Sequence, residues 1–163
     1  MTAFEPAVNA LALALRARGW RIASAESCTG GLIAAACTSV AGSSDWFERG
    51  FVTYSNDAKT EALGVDPALI AAHGAVSEQV ARAMADGALA RAHAELAVAV
   101  TGIAGPGGET PGKPVGTVWL AIAHSGAAIV SEHLGLQGDR AAIRAQTVAH
   151  ALARLTERAL RGD

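Results

Sequence analysis

Apolar residues fall at helical spacing along several stretches of this chain and in short continuous runs along others. Val8, Leu11 and Leu15 mark a helix over residues 6–18, with Gly19 as its stop. Leu32, Ile33 and Ala36 mark a second, opening near Gly30 and running to about Val40. Asn56 caps a brief helix through Leu63, and Asp66-Pro67 opens another that ends at His73. Ser77 caps a longer helix with Val80, Met84 and Leu89 on its inner side, ending near His93. Asp139 caps the last, which continues to about Leu160 with Ile143, Val148, Leu152 and Leu155 inside.

Between these helices, residues 20–25, 51–55 and 96–101 read as strands, the last uncharged like the middle of a sheet. Residues 115–124 and 127–136 read as a hairpin joined at Ser125-Gly126. Residues 42–50 read as a loop or a broken helix. Residues 102–114 form a long glycine and proline loop, a length that often carries function. The expected architecture is a three-layer α/β/α fold with a mixed, partly parallel sheet, in one domain over residues 1–163.

Composition changes this picture in a few places. The hydrophobic fraction of 51% is inflated by alanine and aromatics are only 4%, which favours helices packed closely on a sheet. A formal net charge of -2, with arginines scattered, gives no electrostatic case for nucleic acid or an acidic membrane. No apolar run of roughly 18 residues is present, so no spanning helix is expected. The first six residues lack a signal-peptide pattern. Cys28 and Cys37 have neither a metal-site spacing nor a geometry suited to a disulfide, and reduced thiols point to the cytoplasm.

Two glycine-rich runs carry the first candidate chemistry: residues 25–31 (AESCTGG) and 101–108 (TGIAGPGG). Each follows an apolar strand, where open α/β sheets gather ligand-binding groups. Neither has the order of a phosphate-binding P-loop or a dinucleotide fingerprint, and tight turns account for either one alone. Together, with hydroxyls from Thr29 and Thr101, they point to a nucleotide phosphate or ribose site. Glu26 reads as a ribose ligand or as the cap of a turn. Arg140, opening the last helix, suits a phosphate or carboxylate, or else a surface bridge to Asp139.

Lysine occurs only at Lys59 and Lys113. A desolvated lysine can lose its proton and activate a serine, whereas arginine cannot. Lys59 lies in sequence beside Ser43, Ser44, Tyr54 and Ser55, although a solvent-facing lysine on a short helix fits equally. Ser55 is one helical turn away, and Ser44 sits in an exposed glycine loop; spacing leaves both open as nucleophile. Lys113 reads as a loop charge near the ligand. The histidines form no HExxH or other paired motif, so no zinc site is expected.

Residues 25–31, 41–56 with Lys59, 74–78, 100–108 and 113–118 resemble, in the right order and over almost the whole chain, the CinA C-terminal domain family. The resemblance implies a cytoplasmic nicotinamide-nucleotide amidase that hydrolyses the carboxamide of nicotinamide mononucleotide to nicotinate mononucleotide and ammonia, without metal or cofactor. It implies Ser44 as nucleophile and Lys59 as base, in preference to Ser55, with Tyr54 and Thr101 at the reacting centre. Ser27 and Arg140 are implied as substrate-holding residues, with Thr29, Gly30, Gly31 and Gly102 from the two glycine runs around the same substrate. The partner expected is a small nucleotide, and exposed alanine faces leave room for a homodimer. The competing readings are a non-catalytic nucleotide-binding regulatory module, which would release no ammonia, and an oligomer scaffold, which nucleotide would not stabilise.

Overall fold

Alternation along the strands decides the layering. The computed structural model describes residues 1–163, and its strands are β1 Ile22–Glu26, β2 Phe47–Val52, β3 Leu96–Gly102, β4 Thr117–His124 and β5 Val130–Gly135. They form one sheet in the order β2-β1-β3-β4-β5, with β1, β2 and β3 mutually parallel and β4 and β5 antiparallel. Successive side chains point to opposite faces of a strand. One face presents Ile22, Leu96, Val98, Val100, Val118, Leu120 and Ile122, and it packs against helices α1 (Glu5–Arg18), α2 (Leu32–Cys37) and α6 (Arg140–Arg161). The other face presents Ala23, Ala25, Ala97, Ala99, Ala121 and Ala123.

The alanine face lets helices sit close. Helices α3 (Asn56–Leu63), α4 (Pro67–His73) and α5 (Glu78–Arg91) cover it, contributing Leu63, Ile70, Val80 and Met84 to the core. α5 lies so near α3 that a Cβ at Gly87 would stand 2.0 Å from the Leu63 carbonyl oxygen. The three-layer α/β/α arrangement with a mixed sheet is the one expected from the sequence. No helix is long and apolar enough to cross a membrane. Cys28 and Cys37 are free and buried.

Among the element boundaries that differ from the sequence reading, three have a local physical cause. β2 begins at Phe47 instead of residue 51. It is an edge strand whose Glu48 and Arg49 pair with each other at 2.6 Å, and charges on an edge strand mask the apolar pattern. α3 is capped by Ser55, whose Oγ accepts from the Ala58 N–H at 3.0 Å, and not by Asn56. α2 stops at Cys37, where the Thr38 hydroxyl bonds back to the Ala34 carbonyl at 2.8 Å.

This topology creates a crevice. β1 leads through α2 to β2 on one side, while β3 lies on β1's other flank and leads away to β4. The chain therefore departs in opposite directions from the C-terminal ends of β1 and β3, where open α/β sheets bind ligands.

Gly87→Ala, a change that raises helix propensity, is expected to destabilise the fold through its collision with Leu63, by about 1–3 kcal/mol. Thermal unfolding checks this; a melting temperature at or above the parent's would refute the close α3–α5 packing.

Candidate active site

The crevice begins where β1 ends. Glu26, the last residue of β1, is fully buried and binds no cation, so its carboxylate must be satisfied by donors. It accepts from the Thr29 hydroxyl at 2.7 Å, the Ile33 N–H at 2.8 Å and the Ala34 N–H at 3.0 Å. The carboxylate thus fills the start of α2, as a cap would, and contacts no solvent-facing ligand position. The reading of Glu26 as a turn cap holds, and the ribose reading does not.

Ser27 follows directly, its N–H continuing the ladder to the Val100 carbonyl at 3.1 Å. Lys59 projects from the first turns of α3 into the same space and is 1% exposed. Its Nζ donates to Ser27 Oγ at 3.1 Å and to the Thr53 carbonyl at 2.9 Å, and no carboxylate bonds to it. Burial pushes the amine below the usual lysine range, opposed only by the Cys28 thiol. In the neutral form Lys59 can take the Ser27 proton, and the hydrogen bond then runs from Ser27 Oγ–H to the amine.

A cavity of about 220 Å³ opens over this pair. Thr101 and Gly102 line it from the end of β3, Tyr54 from the β2–α3 turn, Asn56 from the start of α3, and Arg140 from the start of α6. Thr101 Oγ1 donates to the Ala75 carbonyl at 2.8 Å, fixing the α4–α5 connection as one wall. Arg140 crosses the mouth, donating to the Tyr54 hydroxyl at 2.8 Å and the Gly105 carbonyl at 2.9 Å. Cys28 also lines the cavity, but burial pushes its thiol up to about 11, so it stays protonated at neutral pH and is a poor nucleophile.

Of the residues expected from the sequence, Ser27, Lys59, Tyr54, Thr101, Gly102 and Arg140 converge here. Thr29, Gly30 and Gly31 stand behind the cavity and shape the turn: Thr29 is spent on Glu26, and Gly31 adopts the left-handed conformation that starts α2. Gly30, at φ +57°, lets Arg144 approach to where a Cβ would lie 3.5 Å from its Nη2. Ser44 does not join them. It is exposed, in the helical turn before β2, at the Ile22 end of the sheet, whereas Ser27 and Lys59 lie beyond the Glu26 end. The six residues of β2 alone put roughly 20 Å between the two ends. Ser55, the local alternative, is occupied in capping α3. Lys113 bonds the His73 carbonyl at 2.7 Å and fastens the long loop to the end of α4, instead of facing a ligand. Asn56 and Cys28 sit within the motifs but not among the site residues read from the sequence, and the fold turns both toward the cavity. Arg144 lies outside every motif and reaches the turn after Ser27 by bonding the Cys28 and Thr29 carbonyls, each at 3.1 Å.

Residues 5–159 match the CinA C-terminal domain family. A nicotinamide-nucleotide amidohydrolase of Enterobacter agglomerans is 53% identical over 139 residues, covering 85% of each chain. A CinA-like protein of Geobacter sp. (strain M21) is 59% identical over 142 residues, 87% of this chain but 34% of that longer protein. The crystal structure of the competence/damage inducible protein CihA from Agrobacterium tumefaciens superposes with a TM-score of 0.92 at 46% identity, covering 94% of both chains.

The depressed Lys59 amine fixes a sign for stability. Unfolded, Lys59 holds its proton to roughly pH 10.4, while folded it releases it at lower pH, so the unfolded state binds more protons in that window. Relative to Lys59→Met, the parent is therefore expected to gain stability as pH rises toward about 10, by up to about 1.4 kcal/mol per pH unit. Denaturant unfolding across that range measures it; a pH-independent difference would mean that the amine is not depressed.

Proposed function

The chain belongs to the CinA C-terminal domain family, and on that premise we propose that it hydrolyses the carboxamide of nicotinamide mononucleotide to nicotinate mononucleotide and ammonia, with Ser27 as nucleophile and Lys59 as base. The observation that carries the dyad is the 3.1 Å contact between Lys59 Nζ and Ser27 Oγ, around an amine buried without a counter-charge. The nicotinamide-nucleotide amidohydrolase relative of nearly equal length supports the choice of substrate.

Neutral Lys59 takes the Ser27 proton while Ser27 Oγ forms a bond to the amide carbon, and the carbonyl electron pair moves to oxygen. Collapse of the tetrahedral adduct breaks the carbon–nitrogen bond. Protonated Lys59 gives its proton to the departing nitrogen, which leaves as ammonia. Water then attacks the Ser27 ester by the same route in reverse, releasing the carboxylate and restoring Ser27. The pyridinium charge of the substrate lies near Lys59 and favours the neutral amine. Arg140, at the cavity mouth with an exposed guanidinium, faces the phosphate, and Tyr54 offers an aromatic surface to the pyridinium ring.

Incubating the purified protein with nicotinamide mononucleotide and measuring ammonia tests the reading. Ser27→Ala is expected to lower kcat on the order of 10⁴-fold or more, and Ser44→Ala to leave it within about twofold. Full activity in the Ser27 variant, or its loss in the Ser44 variant, would remove the dyad proposed here. The rate of the parent is also expected to fall as pH drops through the Lys59 titration, because only the neutral amine accepts the serine proton. A rate that rises on acidification would exclude Lys59 as base.

A further inference from the structure

The cavity over Ser27 and Lys59 is too small for a whole nucleotide. Its volume of about 220 Å³ falls below the roughly 300 Å³ at which sites for ligands of that size begin. A second cavity, of about 640 Å³, opens beside it, and Ala104 and Arg140 line both. Gly105 and Pro106 form one wall of the second cavity, and Asp139, Ala141 and Arg144, at the start of α6, form the other. Arg140 ties the two walls together by donating to the Gly105 carbonyl at 2.9 Å. The space is therefore preformed.

Arg140 and Arg144 stand one turn apart on the same face of α6. Neither has a carboxylate within ion-pair distance. Uncharged oxygens hold them instead: the Gly105 carbonyl and the Tyr54 hydroxyl for Arg140, and the Cys28 and Thr29 carbonyls for Arg144. These bonds use Nη1 and Nη2 of Arg140 and Nε and Nη2 of Arg144, so Nε of the first and Nη1 of the second bind nothing. Two guanidiniums fastened side by side repel each other, and a bound anion removes that cost. Asp139 brings the only carboxylate to the cavity. Its Oδ1 accepts from the Ala142 N–H at 2.8 Å, which leaves Oδ2 open to a sugar hydroxyl. Two cations beside one such acceptor match a sugar phosphate better than a bare anion.

We propose that this second cavity binds the ribose phosphate of the substrate, and that Arg144, beside Arg140, is the residue that selects for the phosphate. The inference rests on nicotinamide mononucleotide as the substrate. The nicotinamide ring fills the smaller cavity with its carboxamide at Ser27, the ribose passes Ala104, and the phosphate lies between the two guanidiniums. Arg140 stands where the cavities meet. A planar guanidinium can hold carbonyls along one edge and a phosphate along another, which an amine cannot. Arg144 does the first through Nε and Nη2 and keeps Nη1 for the second.

The test measures ammonia release from nicotinamide mononucleotide and from nicotinamide riboside, which lacks the phosphate, for the parent, Arg144→Gln and Ala141→Glu. Ala141 is exposed, and a carboxylate in the first turn suits the helix while placing a negative charge at the cavity. This variant decides the matter if the arginine variant does not fold. The parent is expected to prefer the nucleotide in kcat/KM by about 10²-fold, and each variant to cut that preference about tenfold or more. Calorimetric binding of ribose 5-phosphate is expected to weaken by a similar factor. A preference that stays within about threefold of the parent's in both variants overturns the proposal, because a merely structural role for Arg144 lowers both substrates alike. No ammonia from either substrate, with ribose 5-phosphate binding still weakened by both changes, removes the amidase reading and leaves the sugar-phosphate site. Equal hydrolysis of nucleotide and riboside by the parent does the reverse.

Discussion

Burying the Lys59 amine against one hydroxyl and one carbonyl, with no carboxylate in reach, is the constraint that the site is organised around. Such an amine is costly to keep charged, and the cheapest response is to give up its proton. A neutral lysine has a lone pair, and the nearest proton on offer belongs to Ser27. In the proposed mechanism, the same burial that weakens the fold supplies the base. An arginine in place of Lys59 could not act as the proposed base, since a guanidinium stays charged at any accessible pH.

The rest of the fold holds that pair in place. The aliphatic face of the sheet anchors α1, α2 and α6, and the alanine face lets α3 and α5 come close enough to drive Lys59 toward β1. Glu26 performs a complementary task one residue before Ser27. As a buried carboxylate it consumes the first free amides of α2, so this helix start does not act as the anion site that glycine-rich turns usually provide. Arg144 completes the arrangement by gripping the carbonyl side of the same turn, and Arg140, one turn earlier on α6, closes the mouth against Tyr54. One helix thus holds both the turn after Ser27 and the rim of the cavity.

Much of this was legible from the residues. The strand-then-glycine pattern located both halves of the crevice, the scarcity of lysine singled out Lys59, and the helices fell close to their observed places. The placement of Ser27 beside Lys59 was not legible. Proximity along the chain favoured Ser55 and the family resemblance favoured Ser44, 15 residues before Lys59, whereas the hydroxyl in contact with Lys59 belongs to Ser27, 32 residues away. The distance of Ser44 from Lys59 has a structural source in β2. Its charged Glu48 and Arg49 disguised four residues of edge strand, and those residues carry the chain from Ser44 at one end of the sheet to Tyr54 at the other. Parallel pairing of β2 with β1 then places Ser27 at the same end as Lys59. Arg144 was invisible for a different reason: its partners are backbone carbonyls more than a hundred residues away, which no side-chain motif records.

Locating the acyl group during turnover tests the account most directly. The protein would be mixed with nicotinamide mononucleotide, quenched in acid, digested, and the ester placed by fragment ions within the peptide that spans both Ser27 and Ser44. The account predicts a nicotinate-mononucleotide ester on the Ser27 oxygen. An ester on Ser44, or on any other side chain, would contradict it.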